Sequence, residues 1–197
     1  MLLAAPVVFA LVVAMARGGS LRHLAALPLR GSAFILCSLA LQVALYLPGM
    51  QRSWIAVHHG GGIYVLALAL ALVGALRNWR LGVAVRFATL GLALNALVIV
   101  ANGGYMPVNK SALSSAQGTV RVREVADAGL YGNTRLATRD NTLLPFSDVF
   151  PLRIPHGPGN VFSIGDLLIA AGVVTLTYRG TRGHVYQQEA FGGLQPA

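Results

Sequence analysis

Two aspartates in the last third of the sequence are the residues best suited to catalysis. All six acidic residues lie between Glu124 and Glu189, and of these only Asp166 falls within an apolar stretch. An ionisable side chain at membrane depth is costly to desolvate, so Asp166 is a functional candidate. Asp148 precedes it and has apolar residues on both sides. Two carboxyl groups in one partly dehydrated pocket share a proton, so that one acts as an acid while the other activates water, as in aspartic proteases.

Each aspartate also has a purely structural interpretation. Ser163-Ile164-Gly165-Asp166 has the spacing of a capping box, with Ser163 as the N-cap and Asp166 in the first helical turn. The Asp166 carboxylate would then accept hydrogen bonds from backbone amides at the positive end of the helix. Asp148 would be a turn residue at the surface. The sequence leaves both interpretations open.

Five apolar blocks are the elements that must position these residues. The chain has 197 residues, of which 55% are hydrophobic and 11% are charged, whereas a soluble domain has about a quarter charged residues. Long runs of Leu, Ala and Val are typical of helices surrounded by lipid. The pattern predicts an all-α integral membrane protein, a single domain with helices at about 2–16, 31–47, 62–76, 81–101 and 162–178.

Arginines in the short connections predict the orientation. Residues 17–30 and 77–86 hold three Arg each and residues 179–182 hold two, whereas the turn before the third helix holds only Arg52. By the positive-inside rule the N-terminus is then outside, the long segment 102–161 is exoplasmic and the tail 179–197 is cytoplasmic. The net charge of +9 is explained by the attraction of these arginines to anionic lipid headgroups. We therefore expect the lipid bilayer as a partner and do not expect binding to nucleic acid.

The first block is expected to stay in the membrane. Residues 2–16 have no basic region before them and are followed by Arg17 and Arg22, which is the reverse of a signal peptide. Cleavage near Ala14-Met15-Ala16 is the alternative.

The sequence offers little that would hold a metal or a cofactor. Cys37 is the only cysteine, so neither an intramolecular disulfide nor a thiolate cluster can form within the chain. His58 and His59 are predicted in an outer turn beside Gly60-Gly61-Gly62, and His156 in the exoplasmic segment. With no histidine inside a predicted helix, an internal haem is not expected. We predict no cofactor, and a metal site built from the three histidines is the alternative.

A polar cluster is predicted where the fourth and fifth helices meet. Asn95 and Asn102 are seven residues apart and therefore share one helix face. Together with Ser163 and Asp166 they would line the meeting point of the two helices. The alternative is that these side chains serve only as hydrogen-bonding groups between helices.

The start of the last helix resembles a known enzyme family. Phe162-Ser163-Ile164-Gly165-Asp166 is similar to the Phe-Asn-x-Ala-Asp segment that opens the last helix of bacterial lipoprotein signal peptidases. This resemblance implies that Asp148 and Asp166 form a catalytic dyad, because a second catalytic Asp precedes that segment by a similar interval in the family. Ser163 and Gly165 depart from the family pattern, and its Gly-Asn-x-x-Asp-Arg segment has no counterpart.

A second resemblance covers most of the chain. The segments Asn102–Val108 and Asn160–Asp166 are similar to those of a family of bacterial multi-pass membrane proteins of unknown function. This resemblance implies the same topology in a bacterial inner membrane and no particular activity.

Three functions are compatible with these patterns. The first is a non-enzymatic accessory, assembly or scaffolding component that contacts other membrane protein subunits or lipids. The second is an intramembrane aspartyl hydrolase in which Asp148 and Asp166 are acid and base and Asn102 orients them. The third is a small transporter, which is disfavoured because the helices carry few charges and show no inverted repeat.

Overall fold

The computed structural model describes residues 4–47, 49–50, 53–129, 133–154 and 157–183. About 69% of these residues are helical. Within this part of the chain the α-helices are α1 (Ala4–Ala16), α2 (Leu21–Ala25), α3 (Ser32–Tyr46), α4 (Trp54–Arg77), α5 (Val83–Ala101), α6 (Lys110–Ala128) and α7 (Ile164–Thr181). Four short strands lie between α5 and α7: β1 (Met106–Val108), β2 (Thr134–Leu136), β3 (Phe150–Ile154) and β4 (Gly157–Phe162).

Five apolar helices lie side by side in a row. Helix α3 packs on α4, α4 on α5, α5 on α7, and α7 on α1, so the last helix in sequence lies between α5 and α1. The large apolar side chains on these helices include several that are more than half exposed, such as Leu36, Leu66, Leu97 and Val100. By length and composition, His58–Arg77 of α4 and the whole of α5 are able to cross a membrane. Exposed apolar surface of this extent is typical of proteins that contact lipid.

Helix α4 starts earlier than the sequence indicates. It begins at Trp54 rather than at residue 62, so the outer turn predicted for His58, His59 and Gly60-Gly61-Gly62 is wrong. Three consecutive glycines have low helix propensity, but the packing of α4 against the end of α5 favours a helix at these positions. A Cβ on Gly61 would lie 3.2 Å from the carbonyl oxygen of Gly104, so the missing side chain lets α4 pass close to the end of α5.

The segment between α5 and α7 forms a small folded unit, called here the inserted domain (Met106–Phe162). Strands β1 and β2 are parallel, and β3 and β4 form an antiparallel hairpin in which Phe150 is opposite Phe162. Helix α6 packs on β2, β3 and β4. The core of this domain consists of aliphatic residues: Val108, Ala112, Leu113, Val122, Val125 and Val161.

The two halves of the inserted domain differ in secondary structure. The second half is extended, in β3 and β4, and contains Pro151 and Pro158. Helix α6 was not predicted, because its residues are mostly polar and Gly118, with φ of 85°, interrupts it. The local signal for α6 is Asn109, whose side-chain oxygen caps the helix by accepting from the Ala112 amide at 3.0 Å.

Helices α5 and α7 approach each other closely through small residues. A Cβ on Gly91 would overlap the carbonyl oxygen of Gly165. A Cβ on Gly172 would lie 2.5 Å from the Ala84 carbonyl oxygen and 2.6 Å from the Ala88 nitrogen. Backbone atoms cannot move aside as a flexible side chain can, so glycine is required here for the observed helix separation.

We expect Gly172→Ala to destabilise the protein by about 1–3 kcal/mol, because the added methyl group meets backbone atoms on α5. The matched control is Gly62→Ala in α4, where the added Cβ meets nothing described within 4 Å. That control should be neutral or stabilising by up to about 1 kcal/mol, since alanine favours helix. Thermal unfolding of both variants in mild detergent measures the difference. Equal effects of the two substitutions would contradict the close α5–α7 packing.

Candidate functional site

The first turn of α7 is held by a reciprocal pair of hydrogen bonds. Ser163 is the N-cap, and its Oγ accepts from the Asp166 amide at 3.0 Å. The Asp166 Oδ2 in turn accepts from the Ser163 amide at 3.1 Å. The predicted capping box is therefore confirmed.

Asn95 on α5 joins this pair and closes a buried network. Its Nδ2 donates to Asp166 Oδ1 at 2.8 Å, and its Oδ1 accepts from Ser163 Oγ at 2.9 Å. Ser163 is fully buried and Asn95 is 7% exposed. The network can form because Gly91 and Gly165 have no side chains, so the backbones of α5 and α7 come close together beside it. Both carboxylate oxygens of Asp166 therefore have a donor, and the network joins α5 to α7.

Asn102 lies in a different network. Its Nδ2 donates to the Val98 and Thr142 carbonyl oxygens at 2.7 and 3.0 Å. Its Oδ1 accepts from the Thr142 amide at 3.0 Å and from Asn141 Nδ2 at 3.1 Å. These bonds attach the inserted domain to the end of α5. The four residues predicted to form one cluster are thus divided between two networks, with Asn102 apart from the other three.

Asp148 occupies the edge of the small β1–β2 sheet. Its amide donates to the Pro107 carbonyl at 3.1 Å, and its carbonyl accepts from the Asn109 amide at 2.9 Å. The chain at Asp148 therefore pairs with Val108 as a parallel bridge. These backbone bonds fix Asp148 inside the inserted domain, so it is not the surface turn residue that the structural interpretation required.

Asp148 is a partly buried residue, and one oxygen of its carboxyl group is shielded and, within the described chain, unpaired. Its Oδ1 is shielded from solvent and has no hydrogen-bond partner among the described residues. Burial raises the pKa of Asp148 well above its usual value, and the negative charge of Asp166 raises it further. Desolvation without a compensating donor favours the neutral, protonated form.

Asp148 and Asp166 are close enough to interact electrostatically. No hydrogen bond joins the two carboxyl groups, however, and both oxygens of Asp166 accept from Asn95 and Ser163 instead. The site thus places a carboxyl group of raised pKa, with one shielded oxygen, near an aspartate whose two oxygens accept hydrogen bonds within the protein. Chemically, it can hold or release one proton at Asp148.

Comparison with known families gives one match. Residues 26–178 match the model of DUF5317, a family of unknown function. The chain belongs to the DUF5317 family. The matched region includes Asn95, Asp148, Ser163 and Asp166, and the predicted membership of an uncharacterised family is confirmed. No curated protein matches the chain, the lipoprotein signal peptidases included, and no solved structure matches it.

The described histidines of this member of DUF5317 do not converge. His58 and His59 lie in the first turns of α4, where both rings contact the Trp54 ring, at centroid distances of 5.0 and 5.3 Å. Among the described residues, no three His, Cys, Asp or Glu side chains lie together as a metal site would require. His156, the third residue of the predicted alternative metal site, lies outside the described residues.

Asn78 is a structural residue that the sequence patterns did not single out. It is 4% exposed at the end of α4. Its Nδ2 donates to the Arg30 and Gly74 carbonyl oxygens at 2.8 and 2.7 Å, and its Oδ1 accepts from the Arg30 amide at 2.8 Å. The sequence did offer a signal for this role, since Asn78 lies between an apolar helix and arginines. A polar side chain that becomes buried at such a position needs a hydrogen-bond partner.

We expect Asp148→Asn to become progressively more stable than the wild type as pH rises from about 4 to neutral. Above the usual aspartate pKa the unfolded chain ionises while folded Asp148 keeps its proton, so wild-type stability falls with pH. The asparagine variant has no such proton linkage. Thermal midpoints of both proteins at acidic and neutral pH test this, with Asp140→Asn at an exposed position as the control. A difference between variant and wild type that stays constant with pH would contradict the raised pKa.

Proposed function

We propose that the protein spans the membrane five times, through α1, α3, α4, α5 and α7, and acts as a non-enzymatic component of a membrane complex. The exposed apolar faces of these helices support the spans. At about 1.5 Å per residue, α1 and α3 are short for a typical bilayer and require local thinning. An accessory, assembly or scaffolding role fits a chain whose helices offer few chemical groups.

The distribution of charge supports the orientation with the inserted domain outside. Hydrogen bonds at one end of the helix row join Ser20 to Thr181 at 2.7 Å and Asn78 to Arg30 at 2.8 Å. The connections at that end carry eight arginines: Arg17, Arg22, Arg30, Arg77, Arg80, Arg86, Arg179 and Arg182. Such an excess favours the cytoplasmic side of a bacterial inner membrane.

The observation that carries the non-enzymatic proposal is the bonding of Asp166. Both of its carboxylate oxygens accept hydrogen bonds, from Asn95 and from the Ser163 amide. Each of these hydrogen bonds occupies one lone pair of the carboxylate and restrains it against α5 and its own helix start. Asp166 thus has the geometry of a group that joins two helices, which supports a structural role.

Strand β3 offers the surface on which a partner would bind. Phe150, Leu152 and Ile154 alternate along the strand and so share one face, and they are 39%, 40% and 48% exposed. Arg153 lies between Leu152 and Ile154, and its Nη2 donates to Ser115 Oγ of α6 at 2.6 Å. That bond holds β3 against α6, and the exposed apolar side chains of the strand are open to another membrane protein.

The topology is tested by cysteine labelling. We expect Val120→Cys in α6 to react with a membrane-impermeant maleimide in intact spheroplasts, and Leu21→Cys in α2 to react only after permeabilisation. Both positions are exposed, at 68% and 52%. Cys37 is also exposed and must first be replaced by alanine. The opposite labelling pattern would reverse the orientation, and labelling of both positions in intact spheroplasts would exclude the five-span arrangement.

The role is tested by purification in mild detergent. We expect a stoichiometric partner protein that is lost in Leu152→Asp, because a charge on the apolar β3 face opposes its burial. Val120→Asp introduces the same charge at another exposed apolar position and should retain the partner. A preparation without any partner, or equal binding by the two variants, would contradict the proposal.

A hydrolase is the second candidate, and the shielded carboxyl oxygen of Asp148 near Asp166 favours it. In that case the same preparations would release a peptide or lipid product, and both Asp148→Asn and Asp166→Asn would abolish its release. Under the structural role only Asp166→Asn harms the protein, through lost stability.

Transport gains less support, because Gln42 bonds Ser38 and Asn95 bonds Asp166 rather than lining an open path.

A further inference from the structure

In the part of the chain that the structure describes, the arginine-bearing end of the helix row carries positive charge and no acidic residues. All six acids of the sequence occur at Glu124 or later, and the described residues of that end, 17–30, 77–86 and 179–183, include none. Arginines of this kind have no carboxylate with which to pair inside the described chain. They are therefore available to an external anion.

A cavity lies between two of these arginines. It has a volume of about 410 Å³ and is lined by Arg80, Gly82, Val83 and Arg86. The Arg86 guanidinium is 5.8 Å from the centre of the Trp79 ring. Within the described residues, the side chains of Arg80 and Arg86 have no hydrogen bond or ion pair with a protein group, although the Arg86 backbone amide donates to the Gly82 carbonyl. Two unpaired guanidinium groups beside one cavity match the planar, bidentate geometry by which arginine binds phosphate.

An apolar stripe begins at this cavity and follows α5. Val83, Phe87 and Leu90 are spaced by one helical turn, so they share a face. They are 45%, 43% and 52% exposed. The surface thus has cations at one end and apolar side chains along its length. This arrangement complements a phospholipid with an anionic headgroup and an acyl chain.

We propose that this cavity binds the phosphate group of an anionic phospholipid, with Arg80 and Arg86 as its ligands and an acyl chain along Val83, Phe87 and Leu90. The proposal rests on the membrane-spanning arrangement proposed above. Electrostatic attraction to anionic lipid contributes a preference of roughly fivefold per arginine. Two arginines give a preference over a zwitterionic lipid of roughly twenty-five-fold, which falls as salt rises.

Trp79 provides a local reporter. The chain has two tryptophans, Trp54 and Trp79, at opposite ends of α4. Trp54→Phe leaves Trp79 as the only one, beside Arg86. The full-length Trp54→Phe protein is reconstituted in phosphatidylcholine vesicles in which a minor lipid is brominated phosphatidylglycerol or, in parallel, brominated phosphatidylcholine. Bromine quenches tryptophan at short range, so the two quenching curves give the relative affinity for the anionic lipid.

We expect brominated phosphatidylglycerol to quench Trp79 preferentially, and Arg80→Gln combined with Arg86→Gln to remove that preference. The matched control, Arg123→Gln combined with Arg139→Gln, removes the same charge from exposed positions in the inserted domain and should leave it intact. Equal quenching by the two lipids, or a preference that survives the Arg80/Arg86 change, overturns the site. Absence of quenching by either lipid overturns the membrane-spanning arrangement itself, so the two failures are distinguishable.

Inorganic phosphate at constant ionic strength identifies the source of the phosphate group. Displacement of phosphatidylglycerol by phosphate beyond that by chloride supports a site that also takes the free anion. Equal displacement by the two salts supports the lipid, held in addition by its acyl chain on α5.

Discussion

The close contact between α5 and α7 is the constraint on which the rest of the structure depends. Glycines at positions 91, 165 and 172 remove the side chains that would otherwise separate the two backbones. At that separation Asn95 reaches both Ser163 and Asp166. A partly buried carboxylate and a buried amide are each unfavourable without a partner, so each stabilises the other only while the helices stay together. Packing and hydrogen bonding therefore reinforce the same arrangement.

This contact also determines where the inserted domain lies. Its two ends, after α5 and before α7, are brought side by side, so the domain can be closed by bonds at its base. Asn102 binds Thr142 there, and the backbone of Asp148 binds Pro107 and Asn109. The position of Asp148 follows from this arrangement, because it pairs with Val108 at the edge of the small sheet and lies close enough to Asp166 to feel its charge. Burial, and then the charge of Asp166, raise the pKa of the Asp148 carboxyl group there.

Features encoded locally could be predicted from the sequence, and features that depend on distant contacts could not. The capping box at Ser163 and Asp166 was predictable because four consecutive residues define it. The start of α4 was not, since Gly61 is helical only because Gly104 lies against it. The environment of Asp148 was equally inaccessible, because its neighbours Pro107 and Asn109 are far away in sequence. The apolar blocks indicated the helices, whereas their order in the row required knowing that α7 lies between α5 and α1.

Two buried polar atoms among the residues that the structure describes lack a hydrogen-bond partner, and their surroundings differ. In the described part of the chain, the buried side-chain atoms without a hydrogen bond are Asp148 Oδ1 and Arg182 Nε. Arg182 is compensated, because another of its nitrogens donates to the Arg17 carbonyl and its guanidinium lies over the Tyr178 ring. Asp148 Oδ1 has no such second contact among the described residues. Since native proteins rarely bury a polar atom without a partner, this oxygen is an unfavourable feature that the packing of the inserted domain must offset.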